Sequence, residues 1–395
     1  MKQNVLIVHN HYQHTGGEAN VAENETRLLQ EHGHAVFHYT RDNAELAGCS
    51  AFKKLLLPFT ALFSLRTYRA VRRLIRAHQI DIVHVHNTVP LISPSVYYAA
   101  WSLGVPVVQT VHNYRFLCPN GMLYRDGRVC EACLQKSLLC AVRYGCYRGS
   151  RAQSLVLAAS VGLHRLLGTY RRIEAYIALT PFAREKLSAK LPLARIAVKP
   201  NIVDVPGAPV PYAAHDGAYV FFGRLDRQKG VYVLLEAFKR LPDCRLTVVG
   251  GGPEEAGMRA FLAEHGMQNV VMTGELPHAE ALMRVARARA FVMPTQWYEG
   301  LPLTVLESFS LGTPVVGSAL GNVGGLLCEW GGGFAFDQTS PEALAACIRS
   351  LTNETLLEAS EQALAAADAL CDREQNYQML MEIYEQAAKR RNGRA

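Results

Sequence analysis

The chain has 395 residues, a formal net charge of +7, 49% hydrophobic residues and 19% charged residues. That is ordinary globular composition with length for two or three domains. No apolar run approaches the roughly 20 residues of a membrane helix, and no zinc finger, recognition helix or aromatic-basic module marks a nucleic-acid binder. The excess positive charge therefore points to anionic small ligands or anionic lipid. The first apolar run is too short for a signal peptide, so the expectation is a cytosolic protein whose 10 Cys are reduced, metal-bound or buried.

Residues 4–9 (Asn-Val-Leu-Ile-Val-His) form a continuous apolar run that reads as the first buried strand of a parallel sheet. Gly16 and Gly17 follow and open a helix, where paired glycines let backbone approach an anion. The third glycine of a dinucleotide fingerprint is missing. A second strand spans 33–39. Residues 51–76 then carry Lys53, Lys54, Arg66, Arg69, Arg72, Arg73 and Arg76 without one acid, interleaved with Leu, Phe, Val and Ile. That pattern suits an anionic bilayer surface; the alternative is a pair of sheet-packing helices with solvated arginines. Further parallel strands are expected at 80–86 and 105–111. The second ends at His112, placing a histidine at a strand's carboxyl end, where open α/β sheets bind ligands.

Half of the cysteines then fall in one stretch: Cys118, Cys130, Cys133, Cys140 and Cys146. Cys130 and Cys133 have zinc-knuckle spacing, with Cys118 and Cys146 flanking. Two readings stand, a structural four-cysteine zinc site and a set of reduced thiols. Residues 143–172 are again basic and leucine-rich and would widen a lipid-facing surface. A strand follows at 175–179, and residues 196–201 end the first domain. Pro200, Pro206, Gly207, Pro209 and Pro211 mark a linker.

The second half opens with a strand and the turn Gly223-Arg224-Leu225, then Lys229-Gly230 before a helix. A fork-shaped guanidinium and a point-charge ammonium at a strand-to-helix turn make a diphosphate clamp. Strands follow at 244–250 and 270–276. The apolar run 290–293 is a buried strand that Pro294 ends. Glu299 then lies in a loop, a helix starts near Pro302, and Glu307 lies within it. The free N–H groups of that helix start, including Leu303 and Thr304, suit a phosphate, while two carboxylates beside an anion must face hydroxyls instead. A sugar nucleotide, a diphosphate flanked by two polyols, fits both. Strands at 313–318 and 331–336, a helix over 344–370 and a last helix over 375–389 close the chain.

Gly223-Arg224-Leu225, Lys229-Gly230, and two glutamates separated by seven residues, Glu299 and Glu307, together resemble family 4 of the retaining glycosyltransferases. The resemblance spans nearly the whole chain and implies the GT-B fold: α/β, with two Rossmann-like doubly wound domains facing across a cleft. It sets an acceptor-binding domain at 1–200, with a Cys-rich insertion at 118–146, and a nucleotide-sugar domain at 201–370. The helix 371–395 is expected to cross back to the first domain. The resemblance assigns Gly16 and Gly17 to the donor diphosphate, Gly223 to the clamp turn and backbone near Leu276 to the base. It sets His112 beside the transferred sugar, although Asn113 stands where the family often has an acid. Arg224 and Lys229 are expected to neutralise the leaving diphosphate, Glu299 to hold sugar hydroxyls and Glu307 the ribose. The implied reaction is metal-independent glycosyl transfer with retention, from a UDP- or GDP-sugar to a polyprenyl-diphosphate-linked saccharide at the inner membrane face. Two alternatives are a GT-B sugar-nucleotide epimerase and a non-catalytic nucleotide-sugar binder.

Overall fold

The computed structural model describes residues 2–11, 17–46, 51–205 and 209–393, with the side chains of all except 46 and 51–55. The chain divides into two compact units: Met1–Leu123, Cys130–Pro200 and Arg373–Ala395 in the first, and Tyr124–Val129 with Asn201–Asp372 in the second.

The first unit is built on β1 (Asn4–His11), β2 (Ala35–Asp42), β3 (Ile82–Val85) and β4 (Val107–Val111). After the small hairpin β5 (Tyr124–Arg125) and β6 (Arg128–Val129) come β7 (Ala175–Ala178) and β8 (Ile196–Val198). The sheet order is β2-β1-β3-β4-β7-β8, all parallel. Val5 to Val8 are buried on both faces, which explains why β1 reads as unbroken apolar sequence rather than as an alternation. The hairpin turns on Asp126 and Gly127, both at positive φ, the geometry that favours Asp-Gly in a two-residue loop. It groups with the second unit, whereas the sequence reading kept it inside the first domain's insertion.

The second unit holds β9 (Tyr219–Phe222), β10 (Leu246–Val249), β11 (Val270–Gly274), β12 (Ala290–Met293), β13 (Val315–Ser318) and β14 (Gly333–Phe336). They are parallel in the order β11-β10-β9-β12-β13-β14. The strand order reverses between β9 and β12, and between β1 and β3 in the first sheet. Such switch points leave a crevice at the strands' carboxyl ends.

The single helix read over 344–370 is two, Pro341–Ser350 and Asn353–Leu370. Leu351 is extended, and Thr352 starts the second helix with a capping box to Thr355, a signal strong enough to override a continuous apolar period. The helix Arg373–Asn392 packs in the first unit. There Lys199 Nζ donates to Asn376 Oδ1 at 3.0 Å and Tyr384 is fully buried. Among the described residues no helix is long and apolar enough to cross a membrane. Pro206 and Gly207 of the expected linker lie outside the described residues.

Candidate active site

The second sheet's switch point gathers most of the residues singled out from sequence. The turn after β9 presses against the turn after β12. Gly230 sits at φ +74, and a Cβ there would lie 1.7 Å from the Pro294 carbonyl oxygen. Only glycine allows this approach. Likewise a Cβ on Gly250 would lie 2.0 Å from the Gly223 carbonyl oxygen, so the loops after β9 and β10 also interlock.

The close approach sets Lys229 against Glu299. Lys229 Nζ lies 2.8 Å from Glu299 Oε1, and the same oxygen accepts from Thr295 Oγ1 at 2.9 Å and Trp297 Nε1 at 2.7 Å. Glu299 is only 5% exposed, so it is not a free loop acid. Three donors on one oxygen compensate the burial of its charge. No protein group among the described residues bonds to its Oε2. Asn322 Nδ2 donates to the backbone carbonyls of Glu299 and Gly300 and fixes the loop.

Arg224, on the same turn as Lys229, keeps different company. Its guanidinium is 52% exposed and lies 2.8 Å from Asp226 Oδ2. Glu307 is buried within the helix Leu303–Ser310 rather than solvated, and its Oε1 lies 3.0 Å from His278 Nε2. That hydrogen bond raises the His278 pKa against the opposing effect of burial. Pro302 takes the cap position just before the helix, with no side-chain cap. The helix start, with half-buried Leu303 and Thr304, is therefore open to a ligand. Leu276 follows β11 and is half-buried, two residues before His278.

In the first unit, His112 directly follows β4 and His86 directly follows the adjacent β3, with His86 Nδ1 3.0 Å from His112 Nε2. Burial, reinforced by His86, holds the His112 pKa well below the ordinary value, so the ring is neutral at pH 7. Both rings line a pocket with Tyr97, Arg115 and Tyr170. Gly17 is exposed at the start of the helix Gly17–Glu31, and Gly16 lies outside the described residues. Asn113, where an acid was expected, donates to Glu18 Oε1 at 2.8 Å, and Asn87 donates to Glu18 Oε2 at 3.2 Å. A carboxyl group thus reaches this place from the helix start instead. Burial raises the Glu18 pKa, with Asn113 opposing.

The Cys-rich stretch is ordered by its own backbone bonds. Tyr114 N donates to Gly121 O at 2.9 Å, Cys130 N to Leu123 O at 2.7 Å and Cys146 N to Ala141 O at 3.0 Å. The thiols of Cys118 and Cys133 are in hydrogen-bond contact, which lowers Cys118 to about 6. Cys118, Cys130, Cys133 and Cys146 do not close into a ligand set: the group of three or more His, Cys, Asp or Glu ligand atoms found mutually close among the described residues is Glu25, His84 and His86. Cys118 and Cys133 are buried, and Cys130 and Cys146 are half-buried. The Glu25 group is itself occupied, because Lys199 Nζ lies 2.7 Å from Glu25 Oε1. Both ring nitrogens of His84 are also engaged, by Tyr384 and Thr110 at 2.8 and 2.7 Å.

Sequence reasoning missed Glu18, Glu25, His86, Asp226, His278 and Trp297. His84 and His86 carried a usable signal, two polar residues inside a run that otherwise reads as buried strand. His278 and Glu25 carried none, because each meets its partner only through tertiary packing.

A family model described as Glycosyl transferases group 1 matches residues 214–368, and one described as Glycosyltransferase Family 4 matches residues 15–205. Glycogen synthase of Mycobacterium tuberculosis is 31% identical over 172 residues, 41% of each chain. The match thus spans about two fifths of that relative's length. The putative teichuronic acid biosynthesis glycosyltransferase TuaC of Bacillus subtilis is 34% identical over 108 residues, 27% of this chain and 26% of that one. Among solved structures, sucrose-phosphate synthase from Thermosynechococcus elongatus superposes with a TM-score of 0.71 at 18% identity, covering 98% of this chain and 99% of that one. Anabaena HepE in complex with UDP and glucose superposes with a TM-score of 0.65 at 16% identity, covering 96% and 98%.

Proposed function

The chain belongs to glycosyltransferase family 4 and has the GT-B fold, and on that premise we propose that it transfers a sugar from a nucleotide-sugar to a saccharide acceptor in cell-surface polysaccharide assembly. The observation that carries this reading is the Lys229–Glu299 pair at the switch point of the second sheet. Its ammonium is held in place before any ligand arrives. Its carboxylate keeps one oxygen for Lys229, Thr295 and Trp297 and offers the other to sugar hydroxyls.

Lys229, Arg224 and the N–H groups of Leu303 and Thr304 neutralise charge on the leaving diphosphate. A preorganised donor of this type contributes most where charge develops. Glu307, with one oxygen against His278, accepts from the ribose. Backbone at Leu276 reads the base. His112, neutral, serves as a hydrogen-bonding group toward the transferred sugar. In this scheme Glu299 is committed to hydrogen bonding rather than to nucleophilic attack, which favours retention with the leaving phosphate helping to deprotonate the acceptor. The protein's own cations supply the positive charge, so the reading needs no divalent ion. HepE, which superposes on both units, is described with UDP, and that supports a nucleotide donor.

The acceptor is a polyprenyl-diphosphate-linked saccharide at an anionic membrane face. Support comes from the surface of the helices Ala51–Leu62, Leu65–His78 and Arg151–Leu166. Phe59 is 70% and Leu166 88% exposed, with Leu56, Phe63, Leu65, Leu155 and Leu163 also exposed. Arg69, Arg72, Arg73 and Arg76 line an open groove on the same part of the unit. Two details narrow the sequence reading. Val71 and Ile75 are core residues, and Arg66 lies 3.5 Å from Glu45, so one of the cations has an acidic neighbour.

Thermal melts with UDP, GDP, ADP and their common sugars, on wild type and Glu307→Ala, test the donor site. A ligand at about a hundred times its Kd stabilises by about 2.7 kcal/mol. One nucleotide should shift the wild type and fail to shift the variant. No shift with any of them would overturn the donor assignment. Absence of flotation with anionic vesicles at low salt would remove the membrane part alone.

A further inference from the structure

We infer that Glu25 and His86 are positioning residues for His112: they hold it as the Nε2–H tautomer and leave Nδ1 as its proton acceptor. The inference rests on the proposed function for the use made of His112, but the tautomer itself is measurable without it.

The three side chains form a line through the interior of the first unit. Glu25 lies on the helix Gly17–Glu31 and is 1% exposed. Its Oε2 is 3.2 Å from His86 Nε2, and His86 Nδ1 is 3.0 Å from His112 Nε2. The Glu25 contacts are close charge contacts that do not meet hydrogen-bond geometry, and hydrogen bonds in resting sites often tighten only when ligand binds. The other Glu25 oxygen faces Lys199 at 2.7 Å, and Lys199 is anchored by Asn376 at 3.0 Å. His84 stacks on His86 with ring centroids 4.5 Å apart and is itself fixed by Tyr384 and Thr110.

The chemistry of the partners fixes the direction of each bond. Burial alone would protonate Glu25, but Lys199, then His84 and His86, overcome it and hold its carboxyl well below the ordinary range. An ionised carboxylate only accepts, so the His86 proton is on Nε2. A His86 ring with its one proton on Nε2 has a bare Nδ1, which accepts from His112 Nε2–H at 3.0 Å. Neutral His112 carries one proton, so its Nδ1 is the lone-pair nitrogen. This is the logic by which a buried carboxylate sets an imidazole's tautomer in hydrolytic triads, here extended through a second histidine. The group is no metal site in this state, because an ammonium and two hydrogen-bonded ring nitrogens already fill it.

Lys199 makes Glu25→Gln an informative variant. An ammonium only donates, so it retains the new carbonyl oxygen and turns the amide NH₂ toward His86 Nε2. The line then reverses: His86 becomes Nδ1–H, donates to His112 Nε2, and leaves His112 with its proton on Nδ1 and no acceptor there.

The experiment is ¹⁵N NMR of histidine-labelled protein, with the His112 resonances assigned by their loss in His112→Asn. Wild type should show a protonated Nε2 and a lone-pair Nδ1 at neutral pH, and Glu25→Gln the inverse. In parallel, release of UDP from UDP-glucose or of GDP from GDP-mannose, whichever donor shifts the melt, should fall about 100-fold or more in kcat with KM changed little. Wild-type His112 protonated on Nδ1 would overturn the inference, and that result needs no variant to fold. So would a folded Glu25→Gln protein whose kcat stays within about twofold. Full turnover by His112→Asn would instead sink the use assigned to His112, leaving the tautomer result to stand by itself.

Discussion

Replacing Lys229 by Met separates what this residue does for the fold from what it does for the reaction. The substitution keeps the length of the stem and removes the ammonium that lies 2.8 Å from Glu299. Breaking a buried ion pair costs about 3–5 kcal/mol when the surviving charge is left alone. Glu299 is not left alone, since Thr295 and Trp297 still donate to the same oxygen, and bonds to a charged group are worth about 1.5–3 kcal/mol each. Lys229 is also a quarter exposed, so solvent screens part of the loss. The expected penalty is then about 1–2 kcal/mol, or some 2–8 °C in Tm for a unit of this size. The kinetic loss is larger. Removing a preorganised donor to developing charge lowers kcat about 10²- to 10³-fold, equivalent to about 2.7–4 kcal/mol. Melting curves measure the first quantity and donor turnover at saturating nucleotide-sugar the second. An unchanged kcat with a raised KM would refute the transition-state role. An unchanged Tm would show that the pair does not hold the two turns together.

Gly230→Ala should destabilise by about 3 kcal/mol or more, since it adds a left-handed strain of about 1–2 kcal/mol to an overlap with the Pro294 carbonyl; a urea titration checks it, and a loss under 1 kcal/mol would contradict the close approach. His278→Gln should lower Tm more at pH 6 than at pH 8.5. The bond to Glu307 raises the His278 pKa, so its contribution is complete below about 6.5 and disappears as pH rises through the raised value; equal losses at both pH values would refute the pairing. His9 and His84, depressed to about 3 chiefly by burial, and His112, also depressed chiefly by burial, should make the first unit acid-sensitive. Their contribution is complete above about 6.5 and is lost as pH falls toward the depressed values, so urea midpoints should drop between pH 7.5 and 5.

The parallel sheets were legible because strands buried on both faces read as short apolar runs, and the Gly-Arg-Leu, Lys-Gly and paired-glutamate stretches lie at strand ends where the fold uses them. What sequence could not show was which acid meets which base. Spacing sets Glu307 within a helix, but only packing sets it beside His278. Glu25 lies in a polar helix segment, and its partners His86 and Lys199 come from strands far along the chain. The order of the Cys-rich stretch is hidden for a related reason. Spacing suggests one metal-centred staple, and the segment also carries a series of tight turns closed by backbone bonds that no spacing of cysteines announces.

Glu25 and Glu299 make the general point sharper, because local sequence hardly separates them. Both are nearly inaccessible, and each lies against a lysine, at 2.7 and 2.8 Å. Their second oxygens decide what they do. In Glu299 three donors crowd Oε1 and no described residue bonds to Oε2, so on the proposed function the second oxygen accepts from the sugar. In Glu25 one oxygen goes to Lys199 and the other to His86, so the charge is spent inside and acts on a third residue. The same substitution should then give opposite phenotypes. Glu299→Gln turns a donor toward the ligand or toward Lys229, and should weaken nucleotide-sugar binding relative to the free nucleotide, which lacks the sugar hydroxyls. Glu25→Gln should bind both ligands like wild type and fail at turnover. Calorimetric titration of UDP and UDP-glucose, or the GDP pair, against the two variants reads this directly. Equal loss of both ligands in Glu299→Gln would mean that its free oxygen does not meet the sugar.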